Sequence, residues 1–175
     1  MKALTIYQPW ASLIMAGAKP YEFRKWNPRE RGGSYARLIG ERIIIHASAK
    51  LIDRREVIDL IERLDGSDQQ RASTTLLRDK AMPILDAALA MTMRDADGSL
   101  GLPLSAGIGT AVLGEPRHVG EIADEFRLVK MNDSDRYEHA NWGWPMLDIE
   151  EWGTPIPMRG FQGFWTWPTP DTLGL

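Results

Sequence analysis

Lys19, Glu22, Arg24 and Lys25 fall within seven positions, directly after Gly17 and on either side of Tyr21 and Phe23. An arginine fork and an ammonium can hold an anion or the polar edge of a base, and a carboxylate between them keeps both oriented. The same three group types could also run a hydrolysis. The lysine would act as base or proton donor, the glutamate would activate water, and the arginine would stabilise the charge that develops. The plainer alternative is a salt bridge on an exposed sheet face, worth about 0–1 kcal/mol. If residues 20–25 form a strand, Glu22 and Arg24 share one face, and Tyr21 and Phe23 point to the other and supply core. Lys19 stands at the turn before the strand, from which it can swing toward the same face.

Other elements must hold those side chains. "KALTIYQ" (2–8) alternates as a first strand, and "PWASLIMAG" (9–17) reads as a short helix. Pro9 suits its opening and Gly17 its left-handed stop. Pro20 pushes Lys19 into extended backbone. Residues 27–40 read as a long basic loop punctuated by Pro28 and Gly32-Gly33, and "ERIIIHASAK" (41–50) as a buried strand. From about 50 to 93 the apolar period turns helical, with a break expected at Pro83. Strand chemistry returns over 107–122, bent at 114–116. Residues 132–141 are a polar loop. "WGWPMLDIEEW" and "FQGFWTWP" read as closing strands separated by the Pro155–Pro157 segment. Strands, a helical block and strands again do not make a doubly wound sheet. The expectation is an α+β fold: a small β-barrel closed by its N- and C-terminal strands, with helices packed on it and a helical insertion at about 50–95.

The 175 residues are enough for one domain with its own core, and 1–175 is read as a single unit. The absence of cysteine excludes disulfides and thiolate metal sites. No apolar run approaches the roughly 18 residues of a membrane span, and the first ten residues have no secretory pattern. The expected setting is therefore cytoplasmic, without membrane association. Residues 1–50 hold nine basic side chains against three acidic ones, a surplus of +6 that leaves −9 for the rest of a chain whose total is −3. A basic end on an acidic protein suits a phosphate-bearing partner.

"LTIYQPWASLIMAGAKPYEFRKW" resembles the signature of the ASCH domain family, a branch of the PUA-like superfamily. Its pattern G-x-K-x-x-E-x-R is met here by Gly17, Lys19, Glu22 and Arg24. The run from Gln8 to Ile14, "RIIIHAS" (42–48), "LPLSAGIGTAVLGE" (102–115) and the closing 143–168 stretch resemble further family segments in the same order. The helical block of about 50–100 matches poorly. The resemblance implies a pseudo-barrel whose cleft is lined by the lysine, glutamate and arginine. It also implies RNA binding, coactivator-like protein interaction or ribonuclease activity as family functions. One subgroup hydrolyses N-acetylated cytidine nucleosides with a lysine and a threonine three residues later. Glu22 stands at that threonine position, so the hydroxyl nucleophile is missing.

The expected function is therefore binding of RNA or a nucleotide-like ligand in that cleft, with no cofactor. The alternatives are a hydrolase in the same cleft, with Lys19, Glu22 and Arg24 catalytic, and a protein-interaction domain. Ligand contacts are expected from Lys19, Glu22 and Arg24, with Lys25, Arg29, Arg31 and also Arg37 on phosphates. Trp10, Trp26, Tyr7 or Trp144 would stack bases. Gln8 and His46 complete the candidate set, His46 because it shares a strand face with Ile44 and Ser48. Trp142, Trp165 and Trp167 are expected in the core. The close acidic pairs Asp95/Asp97 and Asp133/Asp135 read as turns, so no metal site is expected, and His118 and His139 have no ligand spacing.

Overall fold

The computed structural model describes residues 1–93, 101–129, 132–134 and 141–168. Its sheet is mixed and curled. Strand β1 (Lys2–Ile6) runs parallel to β3 (Arg42–Ala47) and antiparallel to β7 (Phe164–Thr166). β3 pairs with β4 (Ala106–Leu113), and β4 with the long β6 (Trp142–Pro157). β6 then pairs with β2 (Tyr21–Arg24) and with the two-residue β5 (Arg117–His118). The path is β2-β6-β4-β3-β1-β7. The N- and C-terminal strands are thus neighbours, as expected. The curl nevertheless stays open, because β2 and β7 end the path without pairing to each other. The fold is an α+β half-barrel.

Helix α1 (Trp10–Met15) has all six residues buried and packs on β3, β4 and β6. Gly17 follows it at φ +63°, and its N–H donates to Ile14 O over 2.8 Å, so the expected glycine stop is present. The basic 27–40 segment is not a plain loop. Asn27 accepts from Arg29 N at 2.9 Å and starts the single turn α2 (Pro28–Arg31), which is followed by α3 (Gly33–Ala36).

The helical block contains α4 (Arg54–Asp65), α5 (Asp68–Arg71) and α6 (Arg78–Met93). Val57, Leu60 and Leu64 of α4, and Ala81, Leu85 and Ala88 of α6, are buried at helical spacing and join the main core. Pro83 does not break α6. The carbonyl deprived of a donor belongs to Asp79, which stands exposed at the helix start, where water can satisfy it.

Two boundaries differ from the periodicity. Residues 119–122 belong to helix α7 (Val119–Phe126), because His118 Nδ1 accepts from Gly120 N at 3.1 Å and caps it, and Val119, Ile122 and Ala123 form one buried face. Pro155 and Pro157 lie inside β6, so the closing strands are separated by residues 158–163. Past Pro145, β6 has only β4 as a neighbour, and a proline on such a free edge leaves no ladder partner stranded.

Candidate functional site

Strand β2 carries its ionisable side chains into the mouth of the half-barrel. Glu22 and Arg24 alternate onto the same side as expected, and Arg24 Nη2 lies 2.9 Å from Glu22 Oε1. Tyr21, on the other side, is buried and meets Phe126 of α7 edge to face, and its hydroxyl accepts from Arg117. Phe23 is only half-buried and lines the cleft, so it is not the core residue the alternation predicts.

Lys19 does swing in. It is 3% exposed, and its ammonium donates to Tyr21 O and to Asp133 Oδ2 at 3.3 Å, with Glu22 Oε2 at 3.7 Å. The rings of Trp10 and Phe23 lie 5.3 and 5.0 Å from Nζ. Ion pairs, a carbonyl and two ring faces therefore offset the desolvation of this charge. Arg24 is more open, with 29% of its side chain exposed, and its guanidinium lies 5.8 Å from the Trp144 ring centre. Its Nε is buried without a hydrogen-bond partner. One donor of the fork is thus left over beside Glu22.

These groups line a cleft of about 910 Å³. Of the candidate residues, Lys19, Glu22, Arg24, Lys25, Trp10, Trp26 and His46 line it. Tyr7, Phe161 and Arg159 do so as well. Gln8 does not. It is buried, its amide donates to Ser12 Oγ and Pro103 O, and its carbonyl accepts from Ser12 N, so it ties the start of α1 to a neighbouring loop. Arg29 is not a lining residue either, since its guanidinium is held by Glu115 on the exterior. That hydrogen-bonded arginine holds the Glu115 carboxyl below its ordinary value. Arg31 stays next to the cleft, its guanidinium 4.3 Å from the ring centre of the lining residue Trp26. Trp144 is fully buried, stacked on Phe164 at 5.6 Å, and is therefore not a base platform. Trp165 is buried as expected, but in a small second cluster with Ala3 and Ile44, against which the half-buried Trp167 packs.

His46 is placed at the cleft, as its shared strand face with Ile44 and Ser48 predicts. It is 1% exposed and part of the packing, yet it lines the cleft. Nε2 lies 2.8 Å from Met158 O, an acceptor, so the proton sits on Nε2. Nδ1 is buried with no partner. Burial lowers the imidazole pKa below its ordinary value, and the Met158 bond opposes this only in part.

Asp133, read from sequence as turn chemistry, is a floor residue of the cleft. It is 1% exposed and accepts from Thr74 Oγ1 at 2.9 Å and Thr75 N at 2.6 Å, with Thr75 Oγ1 2.9 Å from its second oxygen. Arg63 of α4 donates to its backbone carbonyl at 3.1 Å. The helical block therefore meets the cleft floor at Asp133, with Thr74 and Thr75 on its carboxylate and Arg63 on its backbone carbonyl. Its only sequence signal is a polar Asn-Asp-Ser run, which a surface turn would share. Asp95, Asp97, Asp135 and His139 lie outside the described residues. Among the described residues no group of three or more His, Asp or Glu is placed to hold a metal ion, and no helix is long and apolar enough to cross a membrane.

The family model of the ASCH domain matches residues 4–142, from β1 through the helical block to the start of β6. No curated protein matches the chain.

Proposed function

The chain belongs to the ASCH domain family, and on that premise we propose that its cleft binds RNA or a nucleotide-like ligand through Lys19, Glu22 and Arg24. The observation that carries this reading is convergence: an ammonium, a carboxylate and a guanidinium share one concavity with the rings of Trp10 and Trp26. Arg24 is the best placed for direct contact, being the partly exposed member of the three. Lys19 and Glu22 fix its position and the local charge. Both oxygens of Glu22 face cations, at 2.9 and 3.7 Å. A carboxylate engaged in this way is suited to orienting a guanidinium, and poorly suited to taking a proton from water. That favours binding over hydrolysis in the same cleft.

Arg24→Ala tests the reading. Loss of a charge-assisted hydrogen bond, about 1.5–3 kcal/mol, predicts roughly 10- to 150-fold weaker binding of a labelled RNA or mononucleotide. Because Arg24 is partly exposed, Tm should fall by no more than about 4 °C. A large fall in Tm with unchanged RNA binding would return Lys19, Glu22 and Arg24 to a purely structural role.

A further inference from the structure

Three cation–aromatic pairs surround the mouth of the cleft, outside the Lys19–Glu22–Arg24 floor. Arg31 lies 4.3 Å from the ring centre of Trp26, Lys50 lies 4.6 Å from Tyr7, and Arg159 lies 6.0 Å from Phe161. The chain brings them from separate places: the β2–α2 turn and the end of α2, the residues after β1 and β3, and the segment joining β6 to β7. Trp26, Tyr7, Phe161 and Arg159 all line the cleft. Tyr7 is 41% and Phe161 54% exposed, so both rings are open to a ligand. Among the described residues, no carboxylate is in ion-pair contact with Arg31, Lys50 or Arg159, whereas Arg29 and Arg42, from the same basic 1–50 segment as Arg31 and Lys50, are held by Glu115 and by Asp148 with Glu150.

We infer that this rim is a track for single-stranded nucleic acid, at least two nucleotides long, laid across the cleft that the proposed function assigns to the ligand. Tyr7 and Phe161 each offer an exposed ring face for a base beside a cation for the adjoining phosphate. Trp26 is half-buried and meets Tyr35, Trp144 and Phe164 edge to face, so its pair contributes the Arg31 cation. A mononucleotide has one base and cannot occupy both exposed rings. A duplex keeps its base faces stacked internally, so the rings would have nothing to take. The inference rests on the proposed function for the location of the cleft, and not for the length or strandedness of what fills it.

The test uses the full chain and fluorescence anisotropy with a labelled mononucleotide, three- and six-nucleotide single strands in RNA and DNA form, and a duplex of the six-nucleotide sequence. The single strand of six should bind at least about tenfold more tightly than the mononucleotide and than the duplex. Phe161→Ala should weaken the six-nucleotide strand by about 5- to 150-fold, the range expected for losing one stacked base. Arg159→Gln, which leaves the ring in place, should lower the slope of log affinity against log salt by about 0.7. Equal affinity for one and six nucleotides, equal affinity for the duplex, or an unchanged salt slope in Arg159→Gln would overturn the track. If Arg24→Ala weakens mononucleotide and strand alike while length has no effect, the floor stands and the track falls. If Arg24→Ala changes nothing while Phe161→Ala releases the strand, the track stands and the floor reading falls.

Discussion

Removing one charge from the cleft floor gives a magnitude that the geometry sets. Lys19 and Asp133 are 3% and 1% exposed, so solvent screens their 3.3 Å contact little. Asp133→Asn keeps the volume and leaves one oxygen for Thr75, but turns an acceptor facing the Lys19 ammonium into a neutral amide. Breaking one side of a buried pair costs about 3–5 kcal/mol. Glu22 remains 3.7 Å from Lys19, so the expectation sits at the lower end, about 3 kcal/mol. For a chain of this size that is a fall in Tm of roughly 6–12 °C. Lys19→Met should also destabilise, since it leaves Asp133 with hydroxyl and amide donors alone.

The decisive measurement is the cycle. With both changes present, neither leaves an unpaired charge behind, so the double variant should be more stable than the two single losses summed, by at least about 2 kcal/mol. Urea unfolding of the four proteins, with equal m-values as the check on two-state behaviour, reads this directly. Losses that add within about 0.5 kcal/mol would refute the coupling, and with it the view that Asp133 holds Lys19 in place.

Two further outcomes follow from single residues. His46 is buried with its pKa lowered from the ordinary 6.5, so protonation favours the unfolded chain. Its contribution is complete above that value and is lost as pH falls through the folded pKa. Tm should therefore decline between about pH 7 and pH 5, and less so in His46→Gln; equal declines in the two proteins would count against the assignment. Gly109→Ala places a Cβ 2.5 Å from the Glu150 carbonyl and from Met15 Sδ, so β6 or α1 must shift. A loss of about 1–3 kcal/mol in urea unfolding is expected, and a neutral effect would mean that the β4–β6 pairing there is looser than described.

What the sequence could reveal about this site depended on how far apart the partners lie along the chain. Glu22 and Arg24 are two residues apart in a strand, and the two-residue repeat places them together whatever else the fold does. The Gly17 stop and the extended backbone that Pro20 imposes on Lys19 are equally local. The same rule erred only where a third element intervened. Phe23 alternates away from Glu22, yet it is drawn half into the cleft, because the Lys19 ammonium turning in from the preceding bend lies against its ring. Trp144 has the residue type of a base platform, but its pairing opposite Glu22 sets it under Phe164, a residue twenty positions later that no local pattern connects to it.

Asp133 is the extreme case. It is 114 positions from Lys19 and 58 from Thr75, and three of its neighbours, Arg63, Thr74 and Thr75, come from the helical block. In sequence that segment shows only an amphipathic period, and its apolar face does pack on the core as such a period predicts. The polar residues at its bends, Thr74 and Thr75, carry no periodic signal, and it is these that reach the floor carboxylate. A buried carboxylate with hydroxyl and amide donors on one side and an ammonium on the other is costly to assemble and gains little for stability over an apolar replacement. Its presence at the base of a cleft is better understood as fixing one charge in one position. The helical block then acts as a support for the lysine, and an alteration at Thr75, outside the family motif, should be felt at Lys19 before it is felt in the sheet.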